Sequence, residues 1–169
     1  ADPAPNKARP NIIIILVDDM GYADTEPYGS EIKTPHLMKL AESGLRFTGF
    51  HNCSKCSPSR GALMTGLYPQ QSGMASLPKA GMNPKAEEDG AGELDPQAVT
   101  IAEVLKSAGY ATAMAGKWHL TSQSKGDIPE GAKFGWPRQR GFDHFFGFLG
   151  GTIKYFDCDS LIRENAPVQ

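Results

Sequence analysis

Three cysteines in 169 residues are too few for a disulfide scaffold, and their number is odd. No aliphatic run comes near the ~20 residues of a membrane-spanning helix; the longest covers only residues 12–17. Basic blocks are absent as well, with 17 Lys plus Arg against 19 Asp plus Glu and a formal net charge of −2. Neither a nucleic acid nor a membrane is therefore an expected partner. No signal-peptide pattern opens the chain, and Ala1-Asp2-Pro3-Ala4-Pro5 suits a mature end left by cleavage or an expression remnant. There is no internal repeat. One sizeable core fits this length, and nothing suggests two.

What is present alternates between strand and helix patterns, which predicts an α/β fold. Asn11-Ile12-Ile13-Ile14-Ile15-Leu16-Val17 is unbroken and mostly β-branched, the pattern of a parallel strand buried on both faces. It delivers Asp18 and Asp19 to its C-terminal edge, where open α/β sheets bind ligands. Hard carboxylate oxygens suit Ca²⁺ or Mg²⁺ rather than zinc, although Asp is also common in plain solvated turns. Neighbouring strand residues face opposite ways, so both bind one ion only if the strand breaks there.

Thr34, Pro35 and Gly44 bracket a helix whose Leu37, Leu40 and Ala41 form a stripe for packing on the sheet. His36 lies in its first turn and reads as structural or surface. Residues 45–50 alternate as a strand, and residues 72–96 read as a surface excursion without periodicity. Thr100 and Glu103 make a capping box for a helix burying Ile101, Val104, Leu105 and Ala108 and stopped by Gly109. Residues 110–115 form a second central strand ending in Gly116-Lys117-Trp118-His119. Lys117 and His119 share a face if the chain stays extended; alone they read as a surface ion pair and a satisfied histidine. Residues 121–140 read as loop, and the aromatics of residues 141–151 as core.

The stretch that organises the rest is Cys56-Ser57-Pro58-Ser59-Arg60-Gly61-Ala62-Leu63-Met64-Thr65-Gly66. Ser57 suits a helix cap, Pro58 the first helical position and Gly66 the position past the end. Cys56 then sits beside unsatisfied N–H groups that favour anions, with the planar cation of Arg60 about a turn away. This suits an anionic tetrahedral group. Cys53-Ser54-Lys55-Cys56 also reads as a redox pair or half a zinc site, but a zinc site lacks its second ligand pair, and the redox reading leaves Pro-Ser-Arg unexplained.

Cys-x-Pro-Ser-Arg followed by x-x-Leu-x-Thr-Gly resembles the signature of the type I, arylsulfatase-like sulfatases. Gly109-Tyr110-x-Thr112 with Gly116-Lys117-x-His119 resembles the second signature of that family. Gly141-Phe142-Asp143-x-Phe145-x-Gly147-Phe148 resembles a further segment common in it. The resemblance implies an alkaline-phosphatase-like fold, a mostly parallel central sheet flanked by helices, with residues 1–169 as the N-terminal part of the catalytic domain. It implies hydrolysis of aryl or carbohydrate sulfate esters. Cys56 would be oxidised to Cα-formylglycine by a formylglycine-generating enzyme and hydrated; one hydroxyl would attack sulfur and the other later expel sulfate. Asp18, Asp19 and the Cys56 product would hold a divalent cation, Ca²⁺ first and Mg²⁺ second. Arg60 would steady the hydrate, Lys117 bind sulfate oxygens, and His119 hydrogen-bond the hydrate hydroxyl.

Sulfatases are longer, and their remaining ligands (an Asp-Asn pair), a further Lys and a leaving-group His lie downstream, so the remainder of the polypeptide is an expected partner. A periplasmic or secreted location, with a signal peptide removed, goes with this reading. One modified cysteine would leave Cys53 and Cys158 as a candidate pair, which the sequence leaves open. The rivals are a phosphonate or phosphate monoester hydrolase of the same superfamily and a non-catalytic or redox Cys-x-x-Cys module.

Overall fold

The structure is a computed structural model describing residues 9–78, 92–124 and 128–168, so residues 79–91 of the expected surface excursion lie outside it. The chain divides into two compact units, Ala1–Phe50 and His51–Gln169.

In the first unit, α1 (Pro35–Ser43) forms where Thr34, Pro35 and Gly44 place it. Thr34 makes no side-chain cap, because its hydroxyl instead accepts the N–H of Glu26 at 3.0 Å. Glu26 answers by accepting the N–H of Thr34 at 3.1 Å, which ties the helix entry to the 3-10 turn Glu26–Tyr28. The stripe expected to pack on the sheet does not: α1 has no buried residue, and Leu40 is 61% exposed. The run expected as a buried strand enters no ladder among the described residues, and Ile13 is 82% exposed. A strand is covered only by neighbours at its edges and over its faces, and this unit's described elements, one α-helix and one 3-10 turn, supply none. Residues 45–50 likewise form no strand.

The second unit holds α2 (Cys56–Thr65), α3 (Ile101–Ser107) and an open sheet of β1 (Ala113–Lys117), β2 (His144–Phe148), β3 (Ile162–Arg163) and β4 (Ala166–Pro167) in that order. β1 and β2 are parallel, while β2–β3 and β3–β4 are antiparallel. The α/β class is as expected, and the described sheet is mixed. β1 begins three residues later and ends two residues later than the sequence pattern placed it, so Lys117 is its last residue. Gly116 faces Gly147 in the parallel register, and a Cβ on Gly147 would lie 1.9 Å from the Gly116 carbonyl oxygen. Only glycine fits there.

The core gathers Met74, Leu94, Trp118, Leu120, Trp136, Phe142, Phe145 and Leu149; of the aromatics in residues 141–151, Phe142 and Phe145 are core as expected, while Phe146 is 43% exposed. Trp118 and Phe142 meet edge to face at 6.1 Å. Both buried indoles keep a partner, Trp118 donating to Gly135 O at 2.8 Å and Trp136 to Gln123 O at 2.9 Å. The segment read as loop is thus the crossover between the parallel strands, pinned by two tryptophans.

α3 carries the capping box as read from Thr100 and Glu103. Its buried face is Ala102, however, while Val104 is 54% exposed, so the helix is turned from the predicted stripe. Arg140 explains the turn: its side chain is buried, pairs with Glu103 at 3.0 Å, and donates to the carbonyls of Asp95 at 3.2 Å and Ala98 at 2.5 Å. Glu103 must face that guanidinium, which fixes the helix rotation.

Asp143 ties the start of β2 to β1. Lys106 contacts its carboxylate at 2.8 Å, and the Thr112 N–H and hydroxyl donate to it at 3.0 and 3.1 Å. The Lys106 hydrogen bond first, then the Thr112 amide, pull its pKa down to about 2 from 3.8. A depressed carboxylate pKa contributes stability above the unfolded value, and that stability is lost as pH falls through the folded value. Asp143→Asn should therefore melt below wild type at neutral pH, with the gap closing as pH falls from 3.8 to about 2. Thermal melts across that range check this; a gap that persists at pH 2 would show that ionisation of Asp143 is not what the network uses.

Candidate active site

α2 begins at Cys56, two residues earlier than the cap signals suggested. Lys55, in extended conformation, is the cap residue, and its carbonyl accepts the Ser59 N–H at 3.2 Å. Ser57 is fully buried inside the first turn rather than capping it. The Ser59 hydroxyl donates to the Cys53 carbonyl at 2.5 Å, folding the preceding loop against the helix start. Gly66 closes the helix in the left-handed region, as predicted. Cys56 is thus the first helical residue, half-buried, at the end where unsatisfied amides and the helix dipole favour negative charge.

Arg60 lies four residues on, on the same helix face. It is buried, 8% exposed, and donates from Nη1 to the carbonyl of Lys117 at 2.6 Å. That bond joins α2 to the last residue of β1. The strand pairing continues past β1, with the Trp118 N–H donating to Phe148 O and the His119 N–H to Leu149 O, each at 3.0 Å.

His119 does not continue the extended chain: its φ is +56°, a value rare for a non-glycine residue and common at functional sites. The condition for Lys117 and His119 to share a strand face therefore fails at His119. The left-handed turn carries the imidazole inward instead, to 7% exposure, while Lys117 stays half-buried at the strand end.

The structure thus gathers four predicted residues in the second unit: Cys56 and Arg60 on α2, Lys117 bonded to Arg60, and His119 beyond it. Sequence reasoning missed Ser59 as the brace of the loop before Cys56, although it stands inside the signature. Cys53, Cys56 and Cys158 are all free, so the candidate Cys53–Cys158 pair is not formed. The exposed Cys158 thiol donates to the carbonyl of Lys154 at 3.1 Å.

Asp18 and Asp19 belong to the first unit. They form a turn in which Asp19 has φ +55°, so the chain does break where two neighbouring carboxylates need it to. Carboxylate oxygens of the two residues lie within 4.8 Å of each other, and both residues are exposed. Two convergent hard oxygen donors fit a divalent cation of the Ca²⁺ or Mg²⁺ kind. His36, exposed on α1, is a surface residue as read.

A buried strand-to-helix tie, a helix start bearing a cysteine, and a histidine in a left-handed turn make up an α/β site whose electrostatics favour negative charge. A sequence profile of the sulfatase family matches residues 10–162, and the chain belongs to that family. It is 41% identical over 161 residues to an arylsulfatase of Klebsiella aerogenes, covering 91% of this chain and 31% of that protein. It is 46% identical over 140 residues to arylsulfatase A of Homo sapiens, covering 82% of this chain and 25% of that protein. The crystal structure of Ps i-CgsB superposes with a TM-score of 0.72 at 41% identity, over 87% of this chain and 30% of the other. The chain spans about a third or less of the length of these relatives.

Replacing the buried guanidinium tests the tie. Arg60→Met should lower stability by about 1.5–3 kcal/mol, the usual range for a hydrogen bond made by a charged group. An unchanged midpoint in chemical denaturation would show that α2 is held to β1 by other contacts.

Proposed function

We propose that this chain is the N-terminal part of the catalytic domain of a sulfate-ester hydrolase acting on aryl or carbohydrate sulfates, with Cys56 converted to formylglycine. The observation that carries the reading is the seat of Cys56: the first residue of a helix, one turn before an arginine bonded to the strand that ends in Lys117. A sulfate monoester is a tetrahedral anion, and its hydrolysis needs a nucleophile, cations on the non-bridging oxygens and an acid for the leaving oxygen. The hydrated aldehyde at position 56 supplies a hydroxyl nucleophile that a thiol does not.

The helix start and Arg60 place fixed positive charge around position 56, and because Arg60 is already bonded, little reorganisation is needed at the moment of reaction. Lys117, at the strand end, is suited to bind non-bridging sulfate oxygens. His119, held inward by its left-handed turn, is suited to hold the hydroxyl proton at position 56. Asp18 and Asp19 would hold a divalent cation, Ca²⁺ foremost; when bound, it supplies charge that polarises sulfate oxygens. The leaving-group acid and further ligands belong to the rest of the polypeptide, which would also cover the exposed apolar run at residues 12–17. A periplasmic or secreted location goes with this reading.

Mass spectrometry of the Cys56 peptide should find it about 18 Da lighter than the thiol form, the elements of H₂S leaving and one oxygen entering, whereas a disulfide loses only two hydrogens. Cys56→Ala in the intact enzyme should abolish turnover of an aryl sulfate while leaving its melting temperature near wild type. Retained turnover would rule out position 56 as nucleophile, and a preference for a matched aryl phosphonate would redirect the substrate class.

The carboxylate pair gives a separate test. A divalent cation draws two neighbouring carboxylates onto one point through their oxygens. Asp18→Ala or Asp19→Ala should lose bound metal and activity together, measured by elemental analysis and sulfate release. Full activity after exhaustive chelation, with no metal found, would remove the cation from the reading.

A further inference from the structure

Two glycines end the segment after β2, and they differ in what surrounds them. Neither Gly150 nor Gly151 has a positive φ, so the backbone at both positions accepts an L side chain. A Cβ on Gly150 would meet only the Ser124 hydroxyl oxygen, at 3.9 Å. A Cβ on Gly151 would lie 2.7 Å from Cε1, 2.8 Å from Nε2 and 3.5 Å from Nδ1 of His119. The three nearest atoms all belong to one imidazole. Glycine at 151 thus serves no backbone conformation; the place of its side chain is taken by the His119 ring.

That ring has little latitude. His119 is 7% exposed, its φ of +56° fixes the direction in which Cβ leaves the chain, and its N–H is bonded to Leu149 O two residues before Gly151. With the main chain pinned, two side-chain torsions remain, and they set the ring in the space a side chain at 151 would fill. We propose that Gly151 is a positioning residue: the missing side chain forms the seat that sets the His119 imidazole. The inference rests on the role given to His119 above, and it adds a second segment, beyond β2, to the parts that build the site.

The test compares Gly151→Ala with Gly150→Ala in the intact enzyme carrying ¹³Cε1-labelled histidine, the His119 signal being identified by its loss in His119→Gln. Gly151→Ala should shift the His119 Cε1–H resonance and lower kcat by about 10- to 100-fold with a smaller change in KM, the size expected when a catalytic group is displaced by an ångström. Gly150→Ala should do neither. An unmoved His119 resonance in Gly151→Ala overturns the proposal. If that variant is too unstable for spectroscopy, a double-mutant cycle decides: its loss in melting temperature should vanish in a His119→Ala background, and an equal loss in both backgrounds overturns the proposal. A shifted resonance with unchanged kcat upholds the seat and removes His119 from turnover, so the functional reading fails separately from the positioning one.

Discussion

A charge-assisted hydrogen bond, from the Arg60 guanidinium to the Lys117 carbonyl, ties the chemistry-bearing elements of the second unit together. It costs the desolvation of a cation, which is tolerable only because a strong acceptor waits at the end of a paired strand. Through it, the position of the α2 start depends on where β1 stops. Near its end β1 pairs closely with β2 because Gly116 and Gly147 let the two backbones approach, and hydrogen bonds to β2's continuation run on through Trp118 and His119. Helix, strand and left-handed turn are therefore one geometric statement. Asp143, Lys106 and Thr112 secure its other end, where β1 begins.

The candidate site was more legible than the fold around it, for a physical reason. Caps, glycine stops and the Cys-x-Pro-Ser-Arg signature are local, so α1, α2, α3 and the residues Cys56, Arg60, Lys117 and His119 could be read from spacing and resemblance. Burial is not local. The apolar run at residues 12–17 has the composition of an inner strand, yet composition cannot say what covers it, and the described part of its unit does not. The rotation of α3 was hidden similarly: its stripe predicted Val104 inward, and a buried ion pair with Arg140, dozens of residues away in sequence, turned Glu103 and Ala102 inward instead.

Two features went against a correct local rule. Ser57 is a good capping residue, but the helix begins at Cys56 and buries it, because the Ser59 hydroxyl fastens the loop one step earlier. Lys117 and His119 have the spacing of a shared strand face, but the strand ends between them. The left-handed turn at His119 is the kind of local strain that sequence patterns miss, since nothing in the residue type demands it. The segment of residues 121–140 looked featureless for a related reason. A crossover whose described residues form only short 3-10 turns has no amphipathic periodicity, and two indoles whose N–H groups found distant carbonyls tie it down.

The parallel contact between β1 and β2 carries a consequence for how the molecule comes to exist. Antiparallel hairpins can close early around a short turn, but β2, the ladder partner of β1 among the described residues, lies on the far side of a long crossover whose described residues hold no α-helix. That loop must be ordered before the first ladder bond forms, so chain entropy is spent ahead of any return. The side-by-side glycines add no hydrophobic contact of their own, so register rests on neighbouring pairs such as Met114 opposite Phe145. Assembly of the chemistry-bearing residues is therefore bound to a late, cooperative step of folding.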